Sequence, residues 1–173
     1  PTALKRLENI IKSTGDSISP TVLKDYLGYI KDAYLVFSVP NIVSPLTEQQ
    51  TIEKRYFADN GILNNFFING ETKLLENIVA IHLNTEDELR LFYYNKRIEV
   101  DFCIPEIETA IQVSYNIDDL DTYEREVGGL VKFLKTFKNY HGLIVTWDTE
   151  RQITEDGIHI NVIPAWKWLL QEI

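Results

Sequence analysis

The feature that most constrains the fold is a run of three predicted β-strands between residues 89 and 115. Apolar side chains recur at every second position along it, which is the period of a strand with one buried face. The alternating positions are Leu89, Leu91 and Tyr93, then Ile98, Val100, Phe102 and Ile104, then Ile111, Val113 and Tyr115. Asn95-Lys96-Arg97 predicts the first turn. Residues 105–108 predict the second, because Pro105 fixes φ and offers no N–H to a ladder.

The second turn suggests how the last two of these strands pair. If Ile104 pairs with Thr109 across a four-residue loop, then Asp101 lies opposite Gln112. Their Cβ atoms would then be about 5 Å apart. A carboxylate facing an amide oxygen on a neighbouring strand could form a ligand pair for a hard cation such as Mg²⁺.

Composition limits the class of protein. The chain has 173 residues, enough for one sizeable core or for a small domain beside a larger one. No apolar run approaches the roughly 20 residues that span a bilayer, so we expect no membrane partner. The single cysteine, Cys103, excludes an internal disulfide and favours a reducing cytoplasm.

The negative charge is concentrated in the second part of the sequence. Residues 1–60 carry seven basic and seven acidic side chains, whereas residues 61–173 carry ten basic and nineteen acidic ones. The formal net charge of −9 therefore belongs entirely to residues 61–173. Phosphate contacts dominate affinity for nucleic acid, so this part is a poor general DNA binder without cations or a partner.

Residues 1–60 predict a partial winged helix-turn-helix domain. A helix over residues 2–14 is followed by a second helix, with Ser19 as N-cap and Pro20 at its first position. An extended run at Tyr34–Val39, a loop at Pro40–Gln50 and a strand at Ile52–Phe57 come next. This is the order of a winged helix that lacks its usual first helix.

Residues 61–173 predict an α+β domain with the order αβββαβ and a mixed sheet. A helix over Thr72–Asn84 precedes the three strands, and a long helix over Asp118–Tyr140 follows them. Gly142–Trp147 is apolar throughout, which is typical of a strand buried on both faces. Residues 152–162 predict a hairpin, and Pro164 opens a last helix.

Several phrases are similar to the C-terminal module of unknown function found in bacterial and archaeal AAA-type ATPases. They are SPTVLKDYLGYIKDAYLVF at 19–37, KRYFADNGILN at 54–64, LLENIV at 74–79, YYNKRIEVDF at 93–102, IQVSY at 111–115 and ERE at 124–126. The resemblance implies a winged helix followed by a PD-(D/E)XK, or restriction-endonuclease-like, domain. It also implies that a P-loop ATPase domain, which would bind ATP, precedes this chain as its partner, since no G-x-x-x-x-G-K-[ST] motif occurs here.

The same resemblance implies a nuclease site. A carboxylate of the first helix, an Asp of the second strand and a (D/E)-x-K of the third strand hold Mg²⁺ and activate water in that superfamily. Glu76 and Asp101 fall on the first two positions, and Gln112-Val113-Ser114 replaces (D/E)-x-K. Gln112 keeps an oxygen ligand without charge, whereas Ser114 cannot do the work of an ammonium group. The candidate site is therefore Glu76, Asp101, Gln112 and Ser114, with Mg²⁺ as candidate cofactor on the first three.

Alternative roles remain open for these residues. Glu76 could be an exposed helix residue, and Asp101 could form an ion pair with Arg125, with Glu126 facing solvent. Lys24 and Lys31 are the candidate DNA contacts of the winged helix, but Asp25 and Asp32 leave that helix neutral.

The expected function is that of a non-catalytic regulatory or interaction module of a AAA-type ATPase, with DNA or protein as partner. The alternatives are a Mg²⁺-dependent nuclease that uses Glu76, Asp101 and Gln112, and a DNA-binding winged helix.

Overall fold

A computed structural model of the chain describes residues 3–45, 53–65, 70–85 and 89–171. The fold is α+β, as predicted, with a mixed six-stranded sheet and a separate two-stranded antiparallel sheet. The helices are α1 (Ala3–Ser13), α2 (Pro20–Asp32), α3 (Asn60–Asn64), α4 (Glu71–Leu83), α5 (Leu120–Thr136) and α6 (Ala165–Trp168). The strands are β1 (Val36–Pro40), β2 (Glu53–Phe57), β3 (Phe92–Asn95), β4 (Glu99–Ile104), β5 (Thr109–Val113), β6 (His141–Thr146), β7 (Arg151–Glu155) and β8 (Ile158–Pro164). None of the helices in these described ranges has the length and apolar character needed to cross a bilayer.

The large sheet has the strand order β3-β4-β5-β6-β8-β7. β3, β4 and β5 form an antiparallel meander, and α5 then carries the chain to β6, which lies parallel to β5. The order α4, three antiparallel strands, α5 and a central strand is therefore the predicted αβββαβ order. β7 and β8 form the predicted hairpin, and β8 pairs with β6 in parallel.

Side chains alternate across the large sheet between two apolar cores. Phe102, Ile111 and Val145 face the core beneath α4, whereas Cys103 and Ile144 face the core beneath α5. β6 is buried on both faces because β5 and β8 flank it and both cores cover it. The apolar run of residues 142–145 in β6 follows from this central position.

The small sheet of β1 and β2 packs onto the core beneath α4. Val39 and Tyr56 are buried there, and the ring of Tyr56 lies tilted against that of Phe102, with 5.4 Å between the centroids. Asn77 of α4 fixes the end of β2, since its side chain accepts from the Phe57 N–H at 2.8 Å and donates to the Phe57 carbonyl at 3.0 Å. The division of the chain near residue 60 stays a prediction, but β2 is firmly attached to α4.

Two helices differ from the sequence analysis. The short helix α3 was not predicted, and Asp59 caps it by accepting from the Ile62 N–H at 3.0 Å. The long helix was expected to reach Tyr140, but α5 ends at Thr136, and Phe137 and Tyr140 pack around the ring of Phe133. Residues 46–52, which include part of the predicted loop and Ile52, lie outside the described residues.

Two glycines test how tightly α5 packs on the sheet. A methyl group at Gly142 of β6 would lie 2.6 Å from Leu134 Cδ1, whereas one at Gly128 of α5 would meet nothing within 4 Å. We expect Gly142→Ala to lower the free energy of unfolding by about 1–3 kcal/mol through overpacking. Gly128→Ala should raise it by about 0.5–1 kcal/mol, because alanine loses less backbone entropy in a helix. Urea denaturation measures both values, and equal effects of the two substitutions would contradict this packing.

Candidate functional site

The predicted residues Glu76 and Asp101 come together around a lysine that the sequence analysis did not assign to the site. The Lys54 Nζ atom lies 3.3 Å from Glu76 Oε1 and 3.0 Å from Asp101 Oδ1. It also lies 2.7 Å from Glu99 Oε1. One ammonium group is therefore shared by three carboxylates.

Three elements place these groups at one point. Glu76 projects from α4, Asp101 from β4 and Lys54 from β2, where Lys54 pairs with Val39 of β1. Because side chains of a strand alternate between faces, Lys54 and Tyr56 point in the same direction. The Tyr56 hydroxyl donates to Glu76 Oε1 at 2.8 Å, so both residues of β2 contact the same carboxylate.

Asp101 lies where the backbone pairing of β4 with β5 stops. The pairing of Ile104 with Thr109 is as predicted, and the ladder runs only as far as Phe102 and Ile111. Beyond it, side chains replace backbone partners: the Val113 N–H donates to Asp101 Oδ2 at 3.0 Å, and the Asp101 N–H donates to Gln112 Oε1 at 3.3 Å. Asp101 is 7% exposed, and these bonds help to satisfy its buried carboxylate.

The two third-strand positions that depart from (D/E)-x-K are engaged elsewhere. Gln112 Oε1 accepts from the Asp101 N–H, and Gln112 Nε2 donates to Glu126 Oε2. The Ser114 hydroxyl donates to the Asn116 carbonyl at 2.8 Å. Gln112 of β5 therefore links β4 and α5 by hydrogen bonds, and its amide oxygen already accepts a hydrogen bond within the sheet.

The charges of the cluster shift its pKa values in different directions. Burial opposes the charge of Lys54, but Asp101, Glu76 and Glu99 outweigh it and raise the pKa of Lys54 above its usual range. Burial likewise opposes ionisation of Glu76, but Lys54, Lys73 and the Tyr56 hydroxyl lower its pKa below 4.5. One ammonium group does not compensate every carboxylate. Burial accordingly raises the pKa of Asp101 to about 6, against the attraction of Lys54, and the charge of Glu76 adds to the rise.

A polar cleft of about 650 Å³ opens beside this cluster. Its lining includes Glu76, Asp101, Gln112 and Glu126, which together we call the floor of the cleft. Its lining also includes four exposed basic residues, which we call the basic rim: Lys73, Arg97, Arg125 and Lys132. An acidic floor and a basic rim are thus combined in a part of the chain that is strongly negative overall.

The residues of the floor do not fit the Mg²⁺ site that the family resemblance implies. Across residues 3–45, 53–65, 70–85 and 89–171, no three His, Cys, Asp or Glu side chains are arranged to hold a metal ion. Glu76 and Asp101 both contact the Lys54 ammonium group, and Gln112 Oε1 accepts from backbone. Metal binding by Glu76, Asp101 and Gln112 stays a prediction that requires this arrangement to change.

The structure corrects three alternatives from the sequence. Glu76 is 8% exposed, so it is not a solvated helix residue. Asp101 pairs with Lys54 and not with Arg125, whose Nη2 atom lies 2.8 Å from Glu126 Oε1. Glu126 is itself 6% exposed, which contradicts the expected solvent-facing position. The inward turn of Glu126 follows from its two partners, Arg125 and Gln112.

The predicted DNA contacts Lys24 and Lys31 lie on α2, which contributes no residue to the lining of the cleft. Both are exposed, as are Asp25 and Asp32 beside them. Only Leu23 of this helix is buried, and Tyr26 and Tyr29 are exposed. DNA binding through Lys24 and Lys31 stays a prediction.

Comparison with known proteins gives one informative relative. No protein-family model matches the chain. The chain is similar to an uncharacterized protein of Methanocaldococcus jannaschii, MJ1544, with 33% identity over 182 aligned positions. The alignment covers 97% of this chain but 40% of that protein, so the chain spans less than half the length of the relative it matches.

Lys54, Glu99 and Glu126 are site residues that sequence reasoning missed. All three stand within phrases that carry the family resemblance, KRYFADNGILN at 54–64, YYNKRIEVDF at 93–102 and ERE at 124–126. Alternation along β2 predicts that Lys54 and Tyr56 share a face, but no local pattern shows that this face meets Asp101, which is 47 positions away. Glu126 lies on the buried side of α5, one turn before Leu130 and next to Val127. Its position beside these apolar residues was the available signal that it points inward.

The opposite pKa shifts of Asp101 and Glu76 give a pH test of the cluster. The ordinary pKa of Asp101 is 3.8, and it is raised to about 6 in the folded state. The folded protein therefore retains a proton that the unfolded chain releases, and this stabilisation is lost as the pH rises from about 4 through 6. We expect the free energy of unfolding of the wild type, minus that of Asp101→Asn, to fall by about 3 kcal/mol across this window.

Glu76→Gln is the matched control with the opposite sign. Because the pKa of Glu76 is lowered from 4.5, its ionised form adds stability above that pH, and the stability is lost as the pH falls through the folded value. The difference between wild type and Glu76→Gln should therefore grow as the pH rises. Urea denaturation at a series of pH values measures both differences. Slopes of the same sign for the two variants would contradict the assigned shifts.

Proposed function

We propose that this chain is a non-catalytic regulatory or interaction module of a AAA-type ATPase, with a nuclease-like fold whose active site is degenerate. The observation that carries the proposal is that the polar side chains at Gln112 and Ser114 already have hydrogen-bond partners within the protein. The Gln112 amide accepts from the Asp101 N–H and donates to Glu126, and the Ser114 hydroxyl donates to the Asn116 carbonyl. Neither residue offers the charged ligand or the ammonium group that metal-assisted hydrolysis by such a site uses.

The order of elements also supports the nuclease-like assignment. α4, the antiparallel meander β3–β5, α5 and the parallel strand β6 occur in the order that the superfamily resemblance implies, with Glu76 and Asp101 at the matching positions. Residues 1–60 would then be the partial winged helix that joins this domain to the motor. MJ1544 is much longer than the aligned segment, so in that protein the module is one part of a larger chain. In the whole protein we place the ATP-binding domain before it, in the reducing cytoplasm.

A Mg²⁺-dependent nuclease is the second candidate, and two observations favour it. The first is Lys54, since its ammonium group lies 3.0 Å from Asp101 Oδ1 although β5 carries no lysine. The second is the basic rim, because exposed Lys and Arg side chains around a cleft attract phosphate groups. In this reading Glu126 would join Glu76 and Asp101 as a third carboxylate of the cleft.

A cleavage assay separates the two candidates. We expect the full-length protein to leave single- and double-stranded DNA and RNA intact in Mg²⁺ or Mn²⁺, at the level of a chelator control. The physical reason is that Lys54 occupies oxygens of both Glu76 and Asp101, and Gln112 is engaged within the sheet. Divalent-dependent cutting that Asp101→Ala abolishes would overturn the non-catalytic assignment. Asp148→Ala, which removes an exposed carboxylate outside the cleft lining, is the control and should leave any cutting unchanged.

A further inference from the structure

We infer that the Lys54 ammonium group is the resident cation of this site and takes the place of a divalent metal ion. The inference rests on the proposed function, because it concerns the same carboxylates. The Nζ atom contacts Glu99, Asp101 and Glu76 at 2.7, 3.0 and 3.3 Å. These are hydrogen-bond distances for an ammonium donor to carboxylate oxygens.

The position of Lys54 is built by its surroundings. β2 is paired with β1 along its whole length, and Asn77 holds the neighbouring Phe57 by two hydrogen bonds. The Nζ atom of Lys54 also lies over the ring of Tyr93, 5.5 Å from the centroid. A cation over an aromatic face gains further stabilisation when it is partly desolvated. The ammonium group is therefore held by the fold and is not a surface side chain that folds over the cleft by chance.

The negative charge of Glu76 and Asp101 explains why the Lys54 ammonium group and a Mg²⁺ ion compete for the same oxygens. Glu76 and Asp101 are nearly buried, and buried carboxylates need a compensating positive charge. Lys54 supplies it at both acids without a metal ion, and Lys73 adds a second contact to Glu76 at 3.2 Å. A Mg²⁺ ion on the same oxygens would lie within a few ångströms of the ammonium group, where like charges repel strongly in a partly buried site. A metal ion that binds Glu76 Oε1 and Asp101 Oδ1, the two oxygens that Lys54 now contacts, must therefore displace the ammonium group.

This arrangement also connects the small sheet to the site. Because Lys54 belongs to β2, its contacts fasten that strand to α4 and to β4 at the floor of the cleft. A movement of β2 away from α4 would withdraw the cation and expose the two acids. Occupancy of the floor by a metal ion is thereby linked to the docking of β2.

Metal titration of a Lys54 variant tests the inference. Lys54→Met keeps an unbranched apolar stem over Tyr93 and removes the charge. Mn²⁺ binding is measured by electron paramagnetic resonance and isothermal titration calorimetry. We expect that in the wild type the Lys54 ammonium group is away from Glu76 and Asp101 in fewer than about one molecule in ten. The variant, in which these acids are always free of lysine, should therefore bind Mn²⁺ more than about tenfold more tightly. Mn²⁺ should also raise the melting temperature of the variant and not that of the wild type.

Two further variants define the site. Adding Asp101→Asn to Lys54→Met should abolish the gained binding, because it removes one of the two buried acids. Arg55→Met is the matched control on the same strand, since Arg55 pairs with Glu53 at 2.7 Å and should leave Mn²⁺ affinity at the wild-type level. Failure of Lys54→Met to gain binding would overturn the inference and leave the non-catalytic assignment intact.

A measurement on the wild type covers the case in which Lys54→Met does not fold. We expect the ammonium resonance of Lys54, observed by NMR, to stay unchanged in excess Mg²⁺, because the lysine remains bound to Glu76 and Asp101 and keeps the metal ion out. Tight Mg²⁺ binding that shifts or broadens this resonance would overturn the inference. Cutting of nucleic acid in the same samples would overturn the proposed function as well, whereas metal binding without cutting would overturn the inference alone.

Discussion

The shared ammonium group of Lys54 is the interaction on which the site depends. Three carboxylates meet at this point, two of them nearly buried, and without a cation their mutual repulsion would destabilise the fold. Lysine suits this role because its three donors serve three acceptors from one atom. The lysine comes from the small sheet and the acids come from α4 and β4, so the same contact neutralises charge and joins two parts of the fold.

The end of the β4–β5 ladder explains why a polar site can exist inside an apolar sheet. Pairing stops after Phe102 and Ile111, and the next backbone N–H groups turn to the side chains of Asp101 and Gln112. Each such bond satisfies a backbone group and fixes a polar side chain at the same time. Glu126 extends this network to α5 through Gln112. An apolar residue at either strand position would leave a buried N–H without its partner, and this is expensive.

The sequence predicted those parts of the fold that depend on local pattern. The register of β4 and β5 followed from the four-residue turn at Pro105, and the helix position of Glu76 followed from the apolar face of α4. Lys54 escaped because its partner Asp101 is remote along the chain, and Glu126 because its burial depends on the Gln112 amide of another element. The α3 helix was missed since Asp59 signals a turn and a helix cap equally well. The family resemblance therefore singled out Glu76 and Asp101, whereas only tertiary contact identified the cation between them.

The arrangement of charge around the cleft restricts what can bind there. The floor already contains its own counter-ion, so its pull on a further cation is weakened. The basic rim of Lys73, Arg97, Arg125 and Lys132 carries exposed positive charge at the cleft, whereas residues 61–173 together have a net charge of −9. Long-range repulsion from that net charge disfavours polyanions, but the rim acts at short range, where salt screens it less. At the cleft, the positive charge of the rim therefore opposes, over short distances, the repulsion that the negative surface around it exerts on anions.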